Sequence, residues 1–432
     1  MNPRPLLVIS AELLCAVLDD ACGANRYLLR YFQEHPQFGS HDRRVLADVV
    51  YGCLRRLRSL GHTLGQPERP DWHLTAVEAR VRVAAWMLTT DMFSRKEIDD
   101  ALGGEVEFLD IKRGNDPPPA VAADLPDWLY DELIAVLGTT ETRALAQALL
   151  QPAPLDLRVN TQRTSRAKVA RQLHDAGIAA TPTPFSPVGL RLSARISIIE
   201  NPLYRHGLVE IQDEGSQLIA LLLAPRRNEI IVDFCAGAGG KTLHLGALMA
   251  NTGALYAFDP ATRRLDELRV RVERAGLTTV RITRIDDLVA APILALRGKV
   301  DRVLVDAPCT GSGTLRRAPD IKWHYHDLDR LATEQRRILA TAASLLRPGG
   351  HLVYATCSLS PTENDAVVAD FLFSHPDFIP VPPHSLSTRL NIPVTFSNLH
   401  EMPALRLYPH HHGTDGFFAM LMKKSDLHVF QK

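Results

Sequence analysis

Through the first sixty residues the apolar positions recur at spacings of three and four, as in Leu13, Leu14, Val17, Leu18 and then Leu46, Val49, Val50, Cys53, Leu54, Leu57. That period predicts helices, with no strand-like alternation. The stretch Leu6 to Leu18 is interrupted by Ser10 and Glu12 and reads as an amphipathic core helix rather than a signal sequence. Pro117-Pro118-Pro119 predicts a loop inside or at the end of this helical region. After Gln151-Pro152-Ala153-Pro154 the period changes: Leu155, Leu157 and Val159 alternate, and a second β-rich stretch covers Leu190–Ile199. From about residue 228, short apolar runs at Glu229–Phe234, Ala254–Asp259, Val280–Ile285, Val300–Asp306 and His351–Thr356 alternate with helical stretches. That rhythm implies a parallel α/β sheet, with Gly416–Met422 as an antiparallel edge. Three parts are expected: an all-α domain at 1–145, an α+β segment at 146–225 and an α/β domain at 226–432.

Composition adds less. The 432 residues are 23% charged and 46% hydrophobic, and 49 Lys/Arg balance 49 Asp/Glu, so no whole-chain basic excess announces nucleic acid. The balance hides an asymmetry: residues 1–150 hold 16 basic against 22 acidic side chains, net −6, and the remainder 33 against 27, net +6. Two basic runs stand out. Arg43, Arg44, Arg55, Arg56 and Arg58 suggest a basic helical face, against the alternative of a solvated surface. Arg158, Arg163, Arg166, Lys168 and Arg171 give enough local charge to position RNA through its phosphates. Six scattered cysteines do not form the dense pattern of a secreted disulfide scaffold, and no apolar run approaches the roughly 18 residues of a membrane span. A cytoplasmic protein without a membrane partner is expected.

The first chemical motif is Val232-Asp233-Phe234-Cys235-Ala236-Gly237-Ala238-Gly239-Gly240-Lys241-Thr242, a strand entering a glycine-rich turn that opens a helix. Such a turn brings backbone amides close to a ligand. A P-loop would need glycine where Cys235 stands, and a dinucleotide fingerprint would need glycine or alanine at Thr242, so both patterns fail. Asp259 ends the next strand, Asp286 and Asp287 follow the third, and Asp306 closes the fourth. Each aspartate alone would be read as a cap or turn residue. Together, without a pyrophosphate grip, they suggest an adenosine-bearing ligand lacking phosphates. S-adenosylmethionine fits, with ribose at Asp259, adenine near Asp286, and the amino-acid end near Cys235–Lys241 and Asp306.

The second motif is Asp306-Ala307-Pro308-Cys309-Thr310-Gly311-Ser312-Gly313, followed by Arg316-Arg317-Ala318-Pro319-Asp320-Ile321-Lys322-Trp323; the third is Thr356-Cys357-Ser358, with Glu363-Asn364 opening the next helix. Carboxylate, glycines and basic residues at the mouth of an α/β sheet look like a base-binding loop, and two cysteines point at one crevice. Cys235, Cys309 and Cys357 lack the close paired spacing of structural zinc, so no metal is expected. His410-His411-His412 reads as surface.

Taken together, Cys235–Thr242, Asp306–Trp323 and Tyr354–Asn364 resemble the signature segments of the Sun/Nop family of RNA (cytosine-5) methyltransferases, which includes a bacterial 16S rRNA enzyme. The resemblance runs from Leu155 to the C-terminus, including Gln212–Gln217, and Ser40–Leu60 resembles that enzyme's antiterminator-like helical domain. Departures are Gly237-Ala238 where members often carry Ala-Pro, and Ile285-Asp286 where they usually carry Gly-Asp. The resemblance implies a Rossmann-like class I methyltransferase domain preceded by the α+β RNA-binding segment and the all-α domain. It further implies S-adenosylmethionine bound by Cys235, Ala236, Gly237, Ala238, Gly239, Gly240, Lys241, Asp259, Asp286 and Asp306; the local basic charge and the basic loop after Asp306 add RNA contacts expected at Arg158, Arg163, Arg166, Arg316 and Arg317.

In the same resemblance Cys357 is the nucleophile that adds to C6 of cytosine, Cys309 assists release of the product, and Asp306 and Lys241 complete the catalytic group. Thiolate addition would turn the poorly nucleophilic C5 into an enamine-like carbon. Asp306 could hold N3 or the exocyclic amine, and Lys241 could orient the nucleophile or the cofactor end. The target base, unstacked or in a loop, would meet one cysteine above and one below. A DNA cytosine-5 enzyme would place its nucleophile at Pro308-Cys309, and the extra Thr356-Cys357 favours the RNA family. The expected substrate is 16S rRNA, with tRNA as the alternative, and a monomer suits docking on a large RNA. A catalytically dispensable RNA-binding assembly factor and a P-loop NTPase are the competing classes.

Overall fold

The computed structural model describes residues 2–426 except 21, 67, 69–71, 104–115, 195, 325 and 383–402. The chain divides into two compact units. One comprises Met1–Pro152 together with Thr314–His326, and the other Ala153–Gly313 together with Asp327–Lys432.

The first unit is helical, as the three-and-four spacing predicts. Its helices include Pro3–Asp19, Ser40–Arg55, Ala76–Thr89 and Asp127–Leu149, the last broken at Gly138, whose φ of 74° is non-helical. Thr75 with Glu78 and Ser94 with Glu97 form capping boxes that satisfy the first amides of Ala76–Thr89 and Arg95–Leu102. Leu14, Val17, Leu46, Val50, Leu54, Val83 and Met87 make a fully buried core. Trp323 joins it and donates its indole N–H to Leu54 O at 2.7 Å. Asp320 accepts from Ala24 N at 3.0 Å, and Lys322 Nζ donates to Arg55 O at 2.9 Å and Asp124 O at 2.6 Å. The expected basic face is therefore divided. Arg55 and Arg58 are buried, and Arg58 is held by Glu68 at 2.7 Å, Asp127 at 2.8 Å and Leu125 O. Pro119 opens a single helical turn, Pro119–Ala122.

The second unit contains two sheets. The smaller is antiparallel, formed by β1 (Leu155–Val159), β2 (Ala180–Pro182), β3 (Gly189–Leu192) and β4 (Val209–Ile211) in the order β2-β3-β1-β4. The expected strand at Leu190–Ile199 ends at Leu192, after which the chain turns. The larger sheet contains β5 (Ile230–Asp233), β6 (Ala254–Asp259), β7 (Val280–Arg284), β8 (Val300–Asp306), β9 (Leu346–Thr356), β10 (Phe378–Pro380), β11 (Leu405–Leu407) and β12 (Phe417–Lys424). Its order is β10-β12-β9-β8-β5-β6-β7, with β11 on β12; β5 to β9 pair in parallel and β12 runs antiparallel to β9.

Both faces of this sheet are covered, which is why its strands read as unbroken apolar runs. Val303 and Val305 of β8 pack with Leu339 and Ala342, whereas Leu304 between them packs with Leu218 and Leu245. The strand order reverses between β5 and β8, so the carboxyl ends of those strands flank the crevice where doubly wound sheets bind ligands. Among the described residues no helix is long and apolar enough to cross a membrane.

Candidate active site

The glycine turn grows out of β5. Gly237 and Gly239 take φ of 54° and 86°, a region open to glycine without steric cost, and the helix Gly240–Leu248 starts immediately after. Asp259, at the end of β6, braces the turn: its two oxygens accept from Gly237 N at 2.9 Å and Ala261 N at 2.8 Å. Ala238 O accepts from Arg271 at 2.7 Å and Gly240 O from Arg158 at 2.5 Å. Beside the turn lies a cleft of ≈ 390 Å³, lined by Phe234, Cys235, Ile285, Asp286, Asp287 and, on the opposite wall, Glu334. Asp286 is exposed there and paired with Arg284 at 2.7 Å. Burial raises the Cys235 thiol pKa well above its ordinary value.

The sequence pattern gives Asp233 no role beyond ending its strand. It is buried beneath the turn, with Oδ2 accepting from Thr242 at 2.6 Å, while Oδ1 is buried without a partner among the described residues. Burial pushes its carboxyl up to about 7, against the Thr242 hydrogen bond. The cleft itself, with Phe234, Ile285 and Leu288 beside the carboxylates of Asp286, Asp287 and Glu334, suits a ligand bearing a heteroaromatic ring and a cationic group. S-adenosylmethionine carries both.

The two cysteine turns meet at the ends of β8 and β9. Cys309 Sγ and Cys357 Sγ are 3.5 Å apart. The thiol hydrogen bond to Cys357, with burial second, raises the Cys309 pKa well above its ordinary value. Lys241 Nζ pairs with Asp306 Oδ2 at 2.7 Å and lies 5.3 Å from the centre of the Phe417 ring. Burial acts to lower the lysine pKa, but the charge of Asp306, its hydrogen bond and a contribution from Cys357 carry it above the usual value. The site therefore holds a fixed cation beside the thiols. The expectation of one cysteine above the base and one below does not fit this contact. Sulfurs on opposite faces of a ring would stand about 7 Å apart, twice a contact distance of roughly 3.5 Å.

The turns are tied together by Glu363. Its Oε1 accepts from Thr310 N at 2.9 Å and Gln335 Nε2 at 3.0 Å, and its Oε2 from Thr310 Oγ1 at 2.6 Å and Ser358 Oγ at 2.5 Å. The motif Tyr354–Asn364 contains this residue, but nothing in the sequence pairs it with Thr310 or Gln335.

The arginines expected at RNA separate into two groups. Arg158 is 2% exposed, bound to Gln212 and Gly240 O, and burial lowers its pKa to about 9, so it supports the cofactor turn from within. Arg316 is also buried, donating to Pro152 O at 3.2 Å, and its own carbonyl accepts from Arg55. Arg163 is exposed, with Nη1 on His206 O and Arg274 O; Arg166 reaches Ser186 O and Arg317 is half-buried. Lys168 and Arg171 project from the exposed side of the helix Arg166–Asp175. Of the three histidines read as surface, His412 is buried, its Nδ1 accepting from Tyr408 N.

A doubly wound sheet with this cleft at its switch point, and two thiols at adjacent strand ends, defines an S-adenosylmethionine-dependent RNA methyltransferase, a class the relatives below share. Residues 220–423 match the family described as "16S rRNA methyltransferase RsmB/F", and residues 125–199 match its ferredoxin-like domain. A Yersinia pestis ribosomal RNA small subunit methyltransferase B is 33% identical over 98% of this chain and 100% of its own. A Bacillus subtilis "probable ribosomal RNA small subunit methyltransferase B" is 34% identical over 92% and 94%. A human 28S rRNA (cytosine(4447)-C(5))-methyltransferase is 32% identical over 69% of this chain and 38% of its own. The crystal structure of PH0851 superposes with a TM-score of 0.79 at 26% identity, covering 98% of this chain and 99% of that one. The chain belongs to the RsmB/F family of rRNA small subunit methyltransferases.

Proposed function

We propose that this enzyme methylates C5 of a cytosine in 16S rRNA through a covalent adduct between Cys357 and C6. The observation that carries the reading is the 3.5 Å contact between Cys309 and Cys357 beside the Lys241–Asp306 pair. The human relative's printed specificity for cytosine C5 and the family description of a 16S rRNA methyltransferase support the same chemistry and substrate.

The Cys357 thiolate attacks C6, and the electron pair of the C5–C6 double bond makes C5 nucleophilic. The Lys241 ammonium stabilises the thiolate before attack, and Asp306, already its partner, is available to the base edge. S-adenosylmethionine supplies the electrophilic methyl group that C5 accepts. Two thiols in contact act on one face of the ring, at the neighbouring atoms C5 and C6. With both thiols on that face, the C5 hydrogen would be left on the side of Cys309 once C5 had accepted the methyl group that the cofactor would supply. Adduct formation at Cys357 removes the thiol hydrogen bond that is the first cause of the raised Cys309 pKa, so Cys309 then gives its own proton to solvent and takes the C5 hydrogen as a proton. The C5–H electron pair re-forms the double bond, the C6–S bond breaks and Cys357 leaves as thiolate. Cys235, Gly237–Lys241, Asp259 and Asp286 would hold the cofactor, and Arg163, Arg166 and Arg317 the RNA.

The test incubates wild type and Cys357→Ala with methyl-labelled S-adenosylmethionine and unmodified small-subunit rRNA, followed by digestion to nucleosides. Labelled 5-methylcytidine with wild type alone is expected. Label on tRNA alone would move the substrate, binding of rRNA without transfer to any RNA would favour an assembly factor, and equal label with both proteins would remove Cys357 as nucleophile.

A further inference from the structure

We propose that Glu363 is a positioning residue that holds the Cys309 and Cys357 turns in the mutual alignment the reaction uses; this rests on the reading that both thiols act on one base. Glu363 is fully buried, and its charge helps to raise the Cys309 pKa, but among the described residues no hydrogen bond joins its carboxylate to either thiol. A carboxylate offers about four lone-pair sites, and four donors fill them: Thr310 N, Thr310 Oγ1, Ser358 Oγ and Gln335 Nε2. Thr310 directly follows Cys309, and Ser358 directly follows Cys357. One carboxylate thus fixes the residue after each cysteine.

The residues before the cysteines are fixed by its neighbours. Gln335 donates to Pro308 O at 2.8 Å as well as to Glu363, so Cys309 is bracketed on both sides. Asn364 accepts from Thr356 Oγ1 at 2.5 Å and donates to Ser358 O at 2.9 Å, bracketing Cys357. Satisfied buried networks of this kind rigidify what they join; the lone pairs of Glu363 are filled, whereas Gln335 Oε1 is buried without a partner among the described residues. Glu363 does not line the cofactor cleft, so its loss separates thiol alignment from cofactor affinity.

The experiment uses the full-length chain with Glu363→Gln, which keeps the volume but turns one acceptor into a donor facing other donors, and Thr310→Val, a milder variant that removes only the hydroxyl. Two measurements are made: kcat and the KM values for methylation of small-subunit rRNA, and the rate at which diamide closes a Cys309–Cys357 disulfide, read by peptide mass. In that closure both S–H bonds break and the S–S bond forms, while the diazene takes up two protons and two electrons to become a hydrazine. It needs neither RNA nor cofactor. A misplacement near 1 Å costs about 10²-fold, so kcat for Glu363→Gln should fall by that order, with the KM for S-adenosylmethionine unchanged and disulfide closure slowed. Thr310→Val should show the same pattern more weakly. Wild-type rates of closure and methylation in both variants would overturn the proposal, as would activity lost only in step with cofactor affinity and melting temperature. If wild type methylates no rRNA but closure is still slowed, the functional reading fails and the positioning role stands.

Discussion

Gly313 and Gly416 meet backbone to backbone: Gly416 N donates to Gly313 O at 2.8 Å, and Gly313 N donates to Cys357 O at the same distance. A Cβ built on Gly313 would lie 2.2 Å from Gly416 O and 2.8 Å from Cys357 O, both main-chain atoms that cannot rotate away. Gly313→Ala should therefore lower stability by about 1–3 kcal/mol, the range for forced overpacking. It should also reduce methyl transfer beyond the loss of folded protein, because the displaced carbonyl belongs to Cys357. Thermal melting and kcat on the same preparation check both.

Lys241 and Asp306 are 9% and 29% exposed as side chains. Lys241→Met strands a carboxylate next to the thiols and removes the only cation paired at this point of the site among the described residues. Breaking a buried pair costs about 3–5 kcal/mol, and the partial exposure of Asp306 places this case at or below the lower end. Restoring balance with Asp306→Asn in the same chain should recover much of the stability but not the activity. A double-mutant cycle in urea, run beside a methylation assay, separates the two effects.

How much of this was legible in the sequence depended on whether a residue's neighbours were local. Parallel strands buried on both faces read as short apolar runs, so β5 to β9 were visible, together with the aspartates and cysteines that end them. Asp233 was visible as a strand end, but its unpartnered oxygen was not. Arg158 reads from sequence as one of five basic side chains in fourteen residues, yet its strand carries it into the interior against Gly240, 82 positions away. Segment 314–326 follows the Asp306–Gly313 motif in the chain and packs with helices some 270 residues earlier. Such pairings leave no periodicity to detect.

Lys322 shows what that packing implies for pH. Burial, assisted by Arg55, Arg56 and Arg58 and opposed by Asp124, pushes its pKa down to about 7. The unfolded chain keeps the proton up to the ordinary lysine value of about 10.4, so between these limits the unfolded state binds more protons and stability rises with pH. The helical unit should gain up to about 1.4 kcal/mol per pH unit inside that window from this group. The raised carboxyl of Asp124 acts in the opposite sense above its unfolded value, so the quantity to compare is the difference between wild type and Lys322→Met. Urea melts at pH 7, 8 and 9 should show that difference narrowing or reversing in favour of wild type as pH rises. Parallel stability curves would mean that Lys322 stays charged throughout.

The two groups of basic residues make opposite predictions under salt. Each phosphate neutralised by an exposed side chain adds about 0.9 to the slope of log affinity against log salt for a duplex and about 0.7 for a single strand. Lys168→Ala and Arg171→Ala, on the exposed side of Arg166–Asp175, should each weaken rRNA binding and flatten that slope by up to this amount. Arg158→Met should leave the slope unchanged, because its guanidinium is engaged by Gln212 and Gly240 O inside the protein. Its effect should fall on the cofactor turn, whose Gly240 carbonyl loses its donor, and appear as weaker S-adenosylmethionine binding by calorimetry without RNA. A flattened salt slope for Arg158→Met with intact cofactor affinity would place that arginine at the RNA and overturn its role as a support of the glycine turn.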